Sequence, residues 1–325
     1  MSSESLERHV IVVGHGYDDY RTEEAILRPH GVGRIAQVDP DDPSLADHLA
    51  RAEAIMVRET PITAAHLAAA PKLRVIVRYG IGVDSVDLAA ARERRIYVAN
   101  VPDYGSEDVS DHALALYLAL QRRVVTRDRA VRQGAWNVGQ TEVMRRSGTL
   151  SFGLVGYGRI ARAFHRKIAA LGVRDVLVHD PVLTTAPEGT ELAALDAIAE
   201  RADVISLHAP LTDATRHMID AAFLARMKPG AILVNTARGG LVDEQALVEA
   251  VKAGRIRAGL DVFEAEPPGP DHPLFALQDV VLSDHTGWYS ETSVEELQSG
   301  AAKEVARVFE GREPDSWVNR WDNDD

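Results

Sequence analysis

The 325-residue chain contains no cysteine. That excludes disulfides and thiolate metal sites, no metal is expected, and a reducing cytoplasm is the expected home. Basic residues are outnumbered, 36 Lys and Arg against 49 Asp and Glu, for a net charge of −13. Such a balance argues against broad electrostatic binding to nucleic acid or to an anionic membrane. It leaves open a local groove for an anionic cofactor. No apolar run approaches the length of a membrane span. The start, MSSESLERH, is polar and acidic and does not read as a secretory signal. With 46% apolar and 26% charged residues, the chain is expected to fold as two globular domains of ordinary size.

The most informative stretch is residues 149–181, TLSFGLVGYGRIARAFHRKIAALGVRDVLVHDP. Residues 150–155 read as a buried strand. A glycine turn follows, Gly156-Tyr157-Gly158-Arg159-Ile160-Ala161. Residues 159–171 then show a helical pattern, with Ile160, Phe164, Ile168 and Leu171 on one face. A second strand, 176–179, ends in Asp180. Strand, glycine turn, helix, strand and acid together fit a dinucleotide. Gly156 permits the sharp turn, and Gly158 lets a pyrophosphate approach the backbone. The helix start offers free N–H groups and its positive dipole end. Asp180 lies about 20 residues beyond Gly158, the spacing expected of a carboxylate that holds ribose hydroxyls. It would repel a 2′-phosphate, which favours NAD over NADP. Ala161 stands at the third glycine position, a tolerated variant.

Alternating strand and helix patterns extend over the rest. Strands are expected at 9–14, 54–57, 73–77 and 96–99, with helices at 22–28, 44–51, 63–69 and 85–92, giving a small domain around a parallel sheet. Its turn Arg78-Tyr79-Gly80-Ile81-Gly82-Val83-Asp84 follows a buried strand. It reads either as a cradle for a substrate carboxylate or as a plain turn. A break at 102–106 marks a domain boundary. Beyond it a helix through DVSDHALALYLALQRRV is apolar on nearly all sides, as for a helix between domains or in a subunit interface. His112 on it reads as a hydrogen-bonded structural histidine, and Trp136 with the polar segment after it as a surface arm.

Four more strands are expected at 204–207, 231–235, 258–260 and 280–282, six in all for the second domain. Polar residues gather just past their carboxyl ends, where doubly wound sheets bind ligands. Arg238, before Gly239-Gly240, has a planar fork suited to a carboxylate. Glu266 lies in DVFEAEP, where Glu264 competes for its role. His285 ends the last strand and is suited to proton transfer. His179 and His208 also sit at strand ends.

NTARGGLVDEQAL (235–247), GLDVFEAEPP (259–268) and SDHTGWYSE (283–291) resemble the three signatures of the D-isomer-specific 2-hydroxyacid dehydrogenases. GLVGYGRIA resembles that family's cofactor turn, and RYGIGVDSVDLAAARERRIYVANVPDYGSEDVSDHALAL its substrate loop and crossing helix. The likeness spans nearly the whole chain, and HTGWYSE and NVPDYGSEDVSDHA are most similar to the branch with the C-terminal-binding proteins. The resemblance implies an α/β fold of two Rossmann-like or flavodoxin-like domains with a cleft between them. A substrate-binding domain would comprise 1–102 and 290–325, discontinuous because the C-terminal helix, about 293–310, returns to it; an NAD-binding domain would comprise 103–289.

The implied roles are these. Arg238 binds the substrate carboxylate, His285 is the acid and base, and Glu266 is its partner. The backbone of Gly80-Ile81-Gly82, with Tyr79, would meet the substrate, and Trp288 would line its pocket. Gly156, Gly158, Arg159, Ile160, Asp180, His208, Pro210, Thr236, Ala237, Arg238, Asp261, His285 and Gly287 would line the cofactor. Departures from the pattern, Ala161, Asp111 and Ser151-Phe152, remove no catalytic group. The expected activity is reversible, NAD-dependent reduction of a small 2-oxo acid to the D-2-hydroxy acid. The expected assembly is a homodimer through the 106–124 helix region. An NAD(H)-responsive binding protein with little turnover and a dehydrogenase of phosphite-type oxyanions are the alternatives.

Overall fold

The computed structural model describes residues 7–137 and 143–321. The chain divides into two compact units, residues 1–105 with 290–325, and residues 106–289.

The first unit carries β1 (Val10–Val13), α1 (Arg21–Leu27), β2 (Ala36–Val38), α2 (Leu45–Arg51), β3 (Ala54–Val57), α3 (Ala64–Ala69), β4 (Val75–Arg78), α4 (Leu88–Glu93) and β5 (Tyr97–Ala99). The strands form one parallel sheet in the order β2-β1-β3-β4-β5. β1 and β3 are buried along their whole length. A parallel strand covered on both faces must be apolar throughout, and the VIVV and AIMV runs meet that demand. The C-terminal helix, Glu291–Phe309, is opened by a Ser290–Ser293 capping box and packs on α1. Past it, the Asn319 amide bridges the backbone of Ile96 and Val98 on the β5 side of the sheet.

The second unit begins with α5 (Ser106–Gln121) and α6 (Val124–Arg132). Then come β6 (Ser151–Val155), α7 (Arg159–Ala170), β7 (Asp175–His179), β8 (Glu191–Leu192), α8 (Leu195–Arg201), β9 (Val204–Leu207) and α9 (Ala221–Arg226). β10 (Ala231–Asn235), α10 (Glu244–Lys252), β11 (Ile256–Leu260) and β12 (Val280–Leu282) complete it. All seven strands are parallel, in the order β12-β11-β10-β9-β6-β7-β8. The order reverses between β6 and β9, so the ligand crevice of such a sheet opens at their carboxyl ends. α5 and α7 cover one face; α8, α9 and α10 cover the other. Asp220 and Asp243 cap α9 and α10 through the N–H groups of Phe223 and Ala246.

Two expectations need correction here. The sheet has seven strands rather than six, because the two-residue β8 adds to its edge. The crossing helix does not run on through Val124. It stops at Gln121, Arg123 turns left-handed (φ 55°), and α6 starts afresh. The apolar girth of α5 has a cause inside its own unit: Ala113, Leu116, Tyr117 and Leu120 pack against the sheet and α7. Trp136 is 77% exposed, whereas part of the polar segment after it, residues 138–142, lies outside the described residues. Among the described residues no helix is long and apolar enough to cross a membrane.

Candidate active site

The glycine turn lies at the β6 side of the order reversal. Gly156 has φ 85°, and a Cβ there would stand 2.7 Å from Ala209 N and 2.8 Å from His208 C and O. Only glycine permits this crossing of β6 under the β9 loop. Gly158 differs. It precedes α7 in an extended conformation with no side-chain cap, and nothing stands within 4 Å of where its Cβ would be. Space and uncapped N–H groups meet there, as a phosphate requires. Ala161 is fully buried in the helix–sheet contact. Arg159 and Ile160 form the first turn of α7. Asp180, past β7, accepts Tyr157 N–H on Oδ2 (2.8 Å) and Val182 N–H on Oδ1 (3.0 Å). A carboxylate with one bond on each oxygen keeps acceptor capacity for hydroxyl groups.

The three strand-end histidines separate by their partners. His179 Nδ1 bonds the Ala193 carbonyl (3.2 Å). His208 packs beside Phe164, its Nε2 is buried without a partner, and burial lowers its pKa to about 3. Such a ring is neutral and cannot shuttle protons near neutrality. His285 alone of the three meets a carboxylate, Nδ1 to Glu266 Oε2 at 2.6 Å. The two candidate glutamates separate in the same way. Glu264 pairs with His217 Nε2 (2.6 Å), whereas Glu266 also accepts Phe263 N–H on Oε1 (2.9 Å). Burial would raise the Glu266 pKa. The bonds from His285 and Phe263 and the charges of His285 and Arg238 outweigh it and hold the group below its usual value. Glu266 and His285, each about one-third exposed, share the wall of a cleft of about 630 Å³ with Phe263, Pro267, Phe275 and Leu282.

Arg238 follows β10, and its Nη1 donates to the Ala237 carbonyl (2.7 Å). Its neighbour Gly239 brings it near the pair: a Cβ there would overlap the Phe263 carbonyl at 1.9 Å, so the two loops touch backbone to backbone. Asn235, 1% exposed, braces the turn by accepting Ala237 N–H (3.0 Å) and donating to the Arg238 carbonyl (2.9 Å). It was not singled out from sequence, although an asparagine ending a strand before Gly-Gly is a signal for a side-chain-braced turn. Thr236 Oγ1 is buried without a partner, and Pro210 follows His208 in the loop after β9. Asp261 directly follows β11, is buried, and accepts the Gly287 N–H (2.9 Å). Trp288 lies edge-on to Tyr289. Arg238, Glu266, His285 and the glycine turn thus all lie at carboxyl ends of strands of one sheet.

In the other unit, the loop after β4 is held by its carbonyls. Gly80 O accepts Val101 N–H (2.9 Å), and Ile81 O accepts the Asn100 amide (2.7 Å). Gly80 has φ 136°, and Gly82 follows two residues on. Tyr79 departs from its expected role. It is 2% exposed, its hydroxyl donates to the buried Glu23 (2.8 Å), and its N–H goes to Val57 O. Tyr79 is a core residue, with neither group left for a substrate.

The family model described as "D-isomer specific 2-hydroxyacid dehydrogenase, NAD binding domain" matches residues 114–287. A glyoxylate reductase of Korarchaeum cryptofilum is 41% identical over 267 residues, covering 80% of this chain and 80% of its own. D-3-phosphoglycerate dehydrogenase of Mycobacterium tuberculosis is 42% identical over 275 residues, 82% of this chain. The match spans only half of that longer protein. Among solved structures, D-lactate dehydrogenase of Aquifex aeolicus, complexed with NAD and lactic acid, superposes with a TM-score of 0.84 at 28% identity. It covers 93% of this chain and 96% of its own.

Proposed function

The chain belongs to the D-isomer specific 2-hydroxyacid dehydrogenase family, and on that premise we propose that it reduces a small 2-oxo acid reversibly to the D-2-hydroxy acid with NADH. One observation carries the reading: the 2.6 Å Glu266–His285 pair beside Arg238, on the sheet that also presents the open glycine turn. A nicotinamide cofactor, when bound, supplies the hydride. The residues of this chain do the rest. The Arg238 guanidinium binds the substrate carboxylate and orients C2, an effect that reaches roughly 7–11 kcal/mol in ideal cases. Glu266 is ionised and accepts from Nδ1 of His285, which leaves Nε2 to give a proton to the carbonyl oxygen in reduction and to take it back in oxidation. General acid catalysis of this kind contributes about 10²–10⁴-fold.

Asp180 supports NADH over NADPH. A 2′-phosphate about 4 Å from its carboxylate would meet a repulsion of roughly 1–4 kcal/mol per unit charge. We also propose a homodimer through the 106–124 helix region, at whose end Val124 is 56% exposed. The absence of cysteine suits a cytoplasmic home. The deciding experiment is optical: NADH or NADPH oxidation against 2-oxo acids, from glyoxylate and pyruvate to branched and aromatic side chains. Turnover of one group with NADH preferred is expected. Tight NADH binding with no turnover of any acid overturns the reading.

A further inference from the structure

His285 sits in an awkward place. Its φ is 57°, a conformation that costs a non-glycine residue energy unless its surroundings impose it. What imposes it is one residue. Asp261 takes three consecutive N–H groups: His285 on its backbone carbonyl (2.8 Å), Thr286 on Oδ1 (3.1 Å) and Gly287 on Oδ2 (2.9 Å). The loop that carries His285 is therefore gripped by Asp261 along its backbone.

The grip has a second layer. Ser283 Oγ donates to Asp261 Oδ1 (2.6 Å), and His112 Nε2 stands 2.7 Å from Ser283 Oγ. The serine has one proton, and the carboxylate takes it. Its oxygen must then accept from the histidine, so Nε2 of His112 carries a proton. His112 Nε2 also lies 3.4 Å from Asp261 Oδ1. The ring closes on the loop itself: a Cβ on Gly287 would stand 2.8 Å from Asp261 Oδ2 and 3.1 Å from His112 Cδ2.

We propose that His112 and Ser283 are positioning residues of the reaction: through Asp261 they hold the 285–287 backbone so that the His285 ring stays against Glu266. The proposal rests on the acid–base reading of His285 above. The state of Asp261 agrees with it. Burial alone would raise its pKa, yet the bonds from His112, Ser283 and Gly287 hold it down at about 2. The clamp is thus anionic whenever the protein is folded near neutrality. His112 is 26% exposed and Asp261 3%, so the chain of bonds runs from the flank of α5 into the interior beneath the loop. His112 and Ser283 are not among the residues expected to line the cofactor or the substrate, so their loss is expected to act on the chemical step more than on cofactor affinity.

The test uses Ser283→Ala and His112→Leu, with Ser283→Thr and His112→Gln as conservative partners that retain the hydroxyl and an N–H donor. Two readouts are taken: kcat beside the NADH Kd, and the low-field proton resonance of His285 Nδ1, assigned by its loss in His285→Asn. Ser283→Ala and His112→Leu are expected to lower kcat about tenfold, to leave the NADH Kd within about twofold, and to shift or broaden the resonance. The conservative variants are expected to behave as wild type. Ser283→Ala removes a single oxygen and carries the test alone if His112→Leu does not fold. An unchanged kcat and resonance in Ser283→Ala overturns the proposal, as does a loss of NADH affinity equal to the loss of kcat. If the wild type turns over no 2-oxo acid while Ser283→Ala still loses the resonance, the functional reading fails and the positioning role stands.

Discussion

Two glycines two residues apart are present for opposite reasons, and alanine at each separates them. At Gly158 the backbone is extended, φ −76° and ψ −162°, and the added methyl would touch nothing within 4 Å. The fold has no need of glycine there. Gly158→Ala should leave the cofactor-free protein as stable as wild type, or more stable by about 0.4–1 kcal/mol through the unfolded chain. Its methyl would instead occupy the approach to the α7 N-terminus and remove one or more charge-assisted bonds to a phosphate. A loss of about 1.5–3 kcal/mol weakens NADH binding roughly 10–100-fold. At Gly156 φ is 85°, and the methyl would lie 2.7–2.8 Å from backbone atoms of residues 208 and 209. Those atoms cannot retreat freely, because His208 N–H is bonded to Val155 O (2.7 Å). Left-handed strain and the clash together cost roughly 2–4 kcal/mol, or about 5–15 °C in Tm for a unit of this size. Thermal unfolding without cofactor, paired with NADH fluorescence titration, reads both quantities. If Gly158→Ala binds NADH as wild type does, or is destabilised as Gly156→Ala is, the phosphate assignment of this turn is refuted.

Arg238→Ala should lower kcat/KM for the 2-oxo acid about 10²–10⁴-fold while the NADH Kd moves less than about threefold, since an oriented carboxylate contact is lost; steady-state kinetics with NADH titration decide it. Glu266→Gln should lower kcat about 10–100-fold at neutral pH, because the amide cannot stabilise a charged ring. The Glu266 pKa is held below its usual value in the fold, so its ionised pairing persists to lower pH than a free glutamate would allow and is lost as pH falls through that lowered value. A wild-type acid limb at or above the free glutamate value would contradict this. Asp261, at about 2 against a usual 3.8, contributes about 2 kcal/mol of stability. Because its pKa is depressed, that contribution is present above about pH 4 and disappears as pH falls toward 2. The difference in unfolding free energy between wild type and Asp261→Asn, measured by urea titration, should therefore shrink below about pH 4. A difference that stays constant from pH 6 down to pH 3 would refute it.

Much of this molecule is legible in one dimension because parallel sheets demand it. Strands buried on both faces must be short apolar runs, and VIVV, AIMV and AILVN stand out wherever they occur. The glycine turn is legible for a similar reason: Gly156 answers a backbone constraint that no other residue meets, and Asp180 stands at a characteristic distance from it. β2 and β8 were not legible, since an edge strand of two or three residues, half of it exposed, carries no pattern. The end of α5 was not legible either. LALQRRVV continues a helical pattern, whereas in the fold Arg123 is left-handed and its guanidinium pairs with Asp279, 156 residues on. Local sequence does not distinguish Glu264 from Glu266, or His285 from His179 and His208. Each is a polar residue just past a strand, and only the folded chain brings His217 to one glutamate and His285 to the other. His112 belongs to the same class, because its partner Ser283 is 171 residues away in the chain. Sequence alone thus determined the repeating βα architecture, the cofactor turn and the residue types available for chemistry, all of which follow from constraints that act within a few residues. Tertiary structure alone decided which carboxylate meets which imidazole and what braces the His285 loop, because those partners lie from 19 to 171 residues apart in the chain.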